Sequence, residues 1–175
     1  MIKIFIILIL CLTFSTKLLS TNIAVVDINT LIDNSKHFIE ISEKINISQI
    51  NDKENFKNIE ENLYKSKSEL EDLRLILNEE EFNVKKDAYY KEVAKFENLI
   101  GDYNNHYESQ IINIKNNLFL KITELIQEYA SKNQIDLILD KNQYLISADK
   151  INITEIIFTQ LNQLNIELKF EKYEN

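Results

Sequence analysis

The chain has no proline and a single glycine, Gly101, in 175 residues. This constrains its fold more than any other feature. Tight reversals draw on glycine for positive φ and on proline for a preset φ. A chain with almost neither turns back on itself only a few times, so long uninterrupted elements are expected.

Heptad spacing supplies those elements. Phe56, Leu63, Leu70, Leu77 and Val84 recur every seven residues, with Ile59 and Leu73 three residues after Phe56 and Leu70. These are the a and d positions of a coiled-coil seam, broken where Ser66 and Glu80 take d positions. The charged residues between them, Lys53 to Glu71, read as a solvated face. An unbroken helix from 52 to 131 would run about 120 Å at 1.5 Å per residue. A reversal is expected instead at "LNEEEFNVKK", 77–86. There Asn78 and Glu81 have capping-box spacing, and Glu79, Glu80 and Glu81 suit the positive end of a new helix. Beyond it Val93, Phe96, Ile100, Tyr103, Tyr107, Ile111, Ile114, Leu118, Ile122, Leu125 and Tyr129 step by three and four. Two stripes of this kind, antiparallel across a short turn, make a long helical hairpin.

Strand signals flank the hairpin. "NIAVVDI", 22–28, is a short β-branched run that reads as a buried strand. Asn29 or Thr30 then caps a short helix that carries Leu31 and Ile32 and can extend to Phe38. "NQIDLILDKNQYLIS", 133–147, reads as two strands about a Lys141-Asn142 turn. Ile135, Leu137 and Leu139 share one face of the first strand, and Tyr144 and Ile146 one face of the second. Helical spacing returns over 151–165, and the last ten residues read as a tail without a partner.

The amino terminus, "MIKIFIILILCLTFSTKLLS", has Lys3 before an apolar run from Ile4 to Phe14 and a more polar stretch after it. That is the layout of a secretory signal peptide cut near Ser20. The run is about half the ~20 apolar residues of a spanning helix. The alternatives are a short uncleaved anchor and lipidation at Cys11, where Leu10 is large for the residue before such a site. Cleavage removes Cys11, the only cysteine, and with it any disulfide or thiolate site. It also removes Lys3 and Lys17, taking the formal charge from −8 to −10. Such a chain does not suit nucleic acid or tight binding to anionic lipid.

No enzyme chemistry is legible. His37 and His106 are isolated, no paired metal-ligand spacing occurs, and there is no glycine-rich phosphate loop or G-x-S-x-G. The carboxylates are scattered, so no acid/base pair stands out. Neither a cofactor nor a metal is expected.

Three short apolar strands with open edges invite pairing with other chains, and cyclic symmetry closes such edges. The order "IAVVDINTLIDNS", long helical hairpin, "YASKNQIDLILDKNQYLISADKINITEIIFTQLN" resembles the Skp (OmpH-like) family of periplasmic chaperones. The resemblance covers the chain from 22 to about Asn165, and its most specific parts are the two flanking blocks.

It implies a mainly α homotrimer with a small β-barrel-like body built from strands of three chains and long coiled-coil arms. The arms would enclose a cavity that holds unfolded outer-membrane proteins in the periplasm without ATP. The organisation implied is a signal peptide at 1–20, a trimerisation body from 21–51 and 131–165, an arm at 52–130 turning near 77–79, and a tail at 166–175. Body contacts are assigned to Ile23, Val25, Ile135, Leu137, Leu139, Tyr144 and Ile146. Candidate client contacts on the arm are Phe82, Tyr89, Tyr90, Phe96, Tyr103 and Tyr107, although the last three are expected to fill the seam.

One departure is the charge. The family pattern is basic, whereas residues 52–130 carry 11 basic against 17 acidic residues, a net of −6. Arg74 is the only arginine, so a lipopolysaccharide site is not carried over. The alternative function is a membrane-anchored coiled-coil scaffold of the envelope.

Overall fold

The computed structural model describes residues 21–174, so the expected signal peptide lies outside the described residues. Strand β1, Ile23–Val26, is followed by helix α1, Ile28–Asn34, and α2, Lys36–Leu73. A short turn leads to α3, Glu79–Asn133, then β2, Leu137–Asp140, and α4, Thr154–Gln163. The fold is mainly helical with a small strand region.

Side-chain caps set the breaks. Asp27 accepts from the Thr30 amide (3.0 Å) and opens α1, one turn-start earlier than Asn29 or Thr30 would have placed it. Ser35, fully buried, accepts from the Phe38 amide (3.2 Å) and donates to the Ile32 carbonyl (2.9 Å), so one hydroxyl ends α1 and starts α2. Asn78 accepts from the Glu81 amide (3.0 Å), with three glutamates in the first turn of α3. With 55 residues, α3 is about 82 Å long. It ends at Gln134 in the left-handed region (φ 53°), a conformation glycine adopts at lower cost.

The body brings the chain ends together. β1 pairs with β2 in parallel, Ile23 opposite Leu137 and Val26 opposite Asp140, and the whole arm is the crossover between them. Asn22 clasps the joint: its amide donates to Asp136 Oδ2 (2.8 Å) and its side chain to the Gln134 carbonyl (2.9 Å). On its other edge β1 meets Asn152, and the Ile153 amide donates to the Val25 carbonyl (2.9 Å). Leu118 and Ile122 of α3 are fully buried, as are Ile157 and Leu161 of α4. Burying each such side chain is worth about 1.5–3 kcal/mol, enough to fix α4 on the arm base.

Three expectations change. Tyr144–Ser147 forms no second strand. Asp140 and Gln143 make a reciprocal capping box that turns Lys141–Gln143 into a single 3-10 turn, and β2 takes β1 as its partner instead. Tyr144 is half-buried and Ile146 is 90% exposed, so neither lines a sheet within the chain. Val84 leaves the seam and is exposed, because the 74–78 turn resets the helical phase. The carboxyl-terminal residues are not a loose tail: Ile166, Leu168, Phe170 and Tyr173 pack against the core.

Asp27 ties the body together. Its amide donates to Thr154 Oγ1 (2.9 Å), and Lys141 Nζ lies 2.7 Å from its Oδ2. Burial pushes the Asp27 carboxyl up, but hydrogen bonds from Lys141 and Thr30 outweigh that and hold it below the usual carboxylate range. A lowered folded pKa contributes stability that is present above the unfolded value, about 3.9, and is lost as pH falls through the folded value. Urea midpoints of the wild type should therefore exceed those of Asp27→Asn at pH 7. The gap should close as pH falls below about 4. A gap unchanged at pH 3 would contradict this.

Candidate functional site

The arm and the uncovered face of the body are the two surfaces available for function. At the arm base an aromatic ladder fills the seam. Phe56 meets Phe96 (6.5 Å between centroids) and Tyr103 (4.8 Å), and Tyr103 meets Tyr107 (5.0 Å), all edge-on. Tyr107 is buried and its hydroxyl is the hub of a polar network. It donates to Asp52 Oδ2 (3.2 Å) and lies 3.0 Å from the buried Ser48 hydroxyl. Burial, then the charge of Asp52 and the neighbouring Tyr107, push the Tyr103 phenol up to about 12. Tyr103 and Tyr107 are therefore seam residues in the single chain and do not face outward.

Higher up, the seam loosens. A cleft of about 400 Å³ between α2 and α3 is lined by Ile59, Leu63, Ser66, Phe96 and Leu99, with Glu92 and Lys95 at its edge. Ser66 is the d position that the heptad leaves polar, and its small side chain leaves the space unfilled. Ser66→Leu should fill it and raise stability by about 1 kcal/mol, read from urea unfolding. No gain would mean that the two helices already close over this point.

The arm tip exposes apolar side chains. Leu75 and Ile76 are 90% and 77% exposed, and Tyr90, Val84 and Tyr64 are also open to solvent. Tyr89 is half-buried and meets Tyr90 edge-on at 5.4 Å. Phe82, Tyr89 and Tyr90 line an open cleft of about 640 Å³ with Leu70, Leu77 and Arg74. Leu75 and Ile76 were missed in the sequence, although "LRLILN" carries the signal: adjacent apolar residues cannot all face one seam.

The body presents the second surface. Ile23 (41%) and Leu137 (45%) lie opposite each other on the sheet and are exposed, as are Leu145 and Ile146. Val25 is buried within the chain, while Ile135 and Leu139 are half-buried. The outer edge of β2 has no strand partner among the described residues.

The two histidines, isolated in sequence, each find a main-chain carbonyl on a remote segment. His37 is buried and its Nε2 donates to the Leu161 carbonyl (3.2 Å) at the end of α4. His106 donates from Nε2 to the Glu171 carbonyl (2.8 Å). No group of three or more metal-ligating side chains comes together among the described residues. No described helix is long and apolar enough to cross a membrane.

A helical hairpin projecting from a small body that pairs β1 with β2 defines an arm-bearing coiled-coil protein, with exposed apolar residues at the tip, along the lower arm and on the body. Residues 22–161 match the model of the outer membrane protein (OmpH-like) family. The chain belongs to that family. The fold is also that of a solved "putative outer membrane chaperone (OmpH-like)" from Caulobacter crescentus CB15, at a TM-score of 0.73 and 8% identity. That alignment covers 89% of this chain and 92% of the other. A search of curated proteins finds no match.

Proposed function

We propose that the protein is a periplasmic holdase chaperone that keeps unfolded outer-membrane β-barrel proteins soluble without ATP. The observation that carries this reading is the family match, which spans both body and arm. The surfaces support it. The exposed face formed by Ile23, Leu137, Leu145 and Ile146, beside an unpaired β2 edge, is what a shared body needs. Three copies closing there form a homotrimer whose arms stand around a common cavity. The loose seam at Ser66 lets each arm bend to clients of different size. Leu75, Ile76, Phe82, Tyr89 and Tyr90 give the arm ends apolar contacts, and the net negative charge leaves apolar contact as the main attraction.

A holdase of this kind acts by mass action on the unfolded client. The test is dilution of an unfolded outer-membrane β-barrel protein from urea, followed by light scattering. Stoichiometric mature protein should suppress the scattering. Aggregation at the unassisted rate would overturn the proposal.

A further inference from the structure

Residues 164–174 leave α4 and run without helix or strand across the base of the arm. We infer that the groove they occupy is a binding site for extended chains with alternating apolar residues, and that this C-terminal strap fills it in cis until a client displaces it.

Two features of the contact support this. The first is alternation. Ile166, Leu168 and Phe170 turn toward the core, half-buried, while Asn165, Glu167, Lys169 and Glu171 are exposed. Tyr173 then packs edge-on against Tyr103 (5.5 Å) and His106 (5.6 Å). The second is how the arm holds the strap. His106 Nε2 donates to the Glu171 carbonyl (2.8 Å), Gln110 Oε1 accepts from the Glu171 amide (3.4 Å) and Tyr107 Oη accepts from the Tyr173 amide (3.4 Å). All three hydrogen bonds use strap main-chain atoms. Three side chains from neighbouring positions on α3 thus read a backbone at Glu171 and Tyr173, and the apolar surface reads every second residue from Ile166 to Phe170. Main-chain bonds supply affinity for any sequence, and pockets for alternate side chains supply the pattern.

The groove therefore selects a conformation and a periodicity. A membrane-spanning strand of a β-barrel has that pattern, with apolar and polar residues alternating. The identification of the occupant as such a strand rests on the chaperone reading above. The strap is suited to yield its place, since its side chains are only half-buried and two of its three hydrogen bonds are long. Because it is tethered, it competes at high effective concentration and keeps the groove covered when no client is present.

The test uses the full chain with Phe170→Ser and Tyr173→Ser, which loosens the strap and leaves the groove residues in place. The probe is a fluorescent peptide of the strap sequence, LNIELKFEKYE, with a control of the same composition in which the apolar residues do not alternate. Anisotropy titration should show the alternating peptide binding about tenfold more tightly to the variant than to the wild type, as expected when a competing closed state is removed. The control peptide should gain nothing, and adding Gln110→Ala and His106→Ala should reverse the gain. Far-UV circular dichroism checks the helices, and Leu168→Ser alone serves if the double variant does not fold. Equal affinity in variant and wild type, or equal gain for both peptides, would overturn the groove. Light scattering on the same samples separates the two ideas. A wild type that suppresses aggregation beside a variant with unchanged peptide affinity sinks only the groove. A wild type without suppression sinks the chaperone reading and leaves the peptide result to decide the groove.

Discussion

In the proposed homotrimer, Leu137→Asp is expected to leave single chains. Leu137 is 45% exposed on a single chain and faces away from the core, so the substitution leaves the chain's own packing nearly intact. In a shared body it places three carboxylates in a closed apolar interior. Each must be desolvated without a partner, at a cost of several kcal/mol. That exceeds what a small interface can absorb. Size exclusion with light scattering should report the mass of one chain, with helical content kept. Tyr90→Asp at the arm tip should leave the mass unchanged. A Leu137→Asp protein that still shows three chains would contradict the shared body.

Tyr107→Ala should cost about 3–5 kcal/mol, the range for removing a large buried aromatic ring. The hydroxyl accounts for a separable part. Tyr107→Phe keeps the ring but leaves the buried Ser48 hydroxyl and the Asp52 carboxylate short of a partner, which costs about 1–3 kcal/mol. The strap also loses its contact at the Tyr173 amide. Hydrogen exchange should therefore show early opening at the arm base in Tyr107→Phe, while the α3–α4 contact around Leu118 and Ile157 stays protected. Equal stability of the phenylalanine variant would mean that the polar hub contributes nothing.

What could be read from the sequence depended on how local the signal was. The helical seam was legible because Phe56, Leu63 and Leu70 repeat at a fixed interval, and the α3 start because Asn78 and Glu81 sit three apart. β1 was legible as a β-branched run. The true partner of β2 was not, because Lys141-Asn142 carries a turn signal that fits two outcomes. The Asp140–Gln143 box made a 3-10 turn, and a parallel partner from the other end of the chain took β2. Nothing local specifies a pairing that closes across the whole arm.

The strap shows the same limit. The alternation of Ile166, Leu168 and Phe170 is a visible strand pattern, but its partners come from α2 and α3, far away in the chain. Without them it reads as a tail. His37 and His106 read as isolated for a related reason. A histidine alone on a helix has no local partner, and each of these finds a main-chain carbonyl on a remote segment. Of the candidate client contacts, Tyr103 and Tyr107 are shared between the seam and the groove under the strap. Phe82, Tyr89 and Tyr90 gather at the tip, and Leu75 and Ile76 join them only once the turn is placed.

In the proposed trimer three arms share one client. The most direct measurement is the mass of the complex formed with a single unfolded outer-membrane protein, by native mass spectrometry or sedimentation. Three chains of this protein with one client are the expected composition. A complex of one chain with one client, or no complex at stoichiometric concentration, would contradict it.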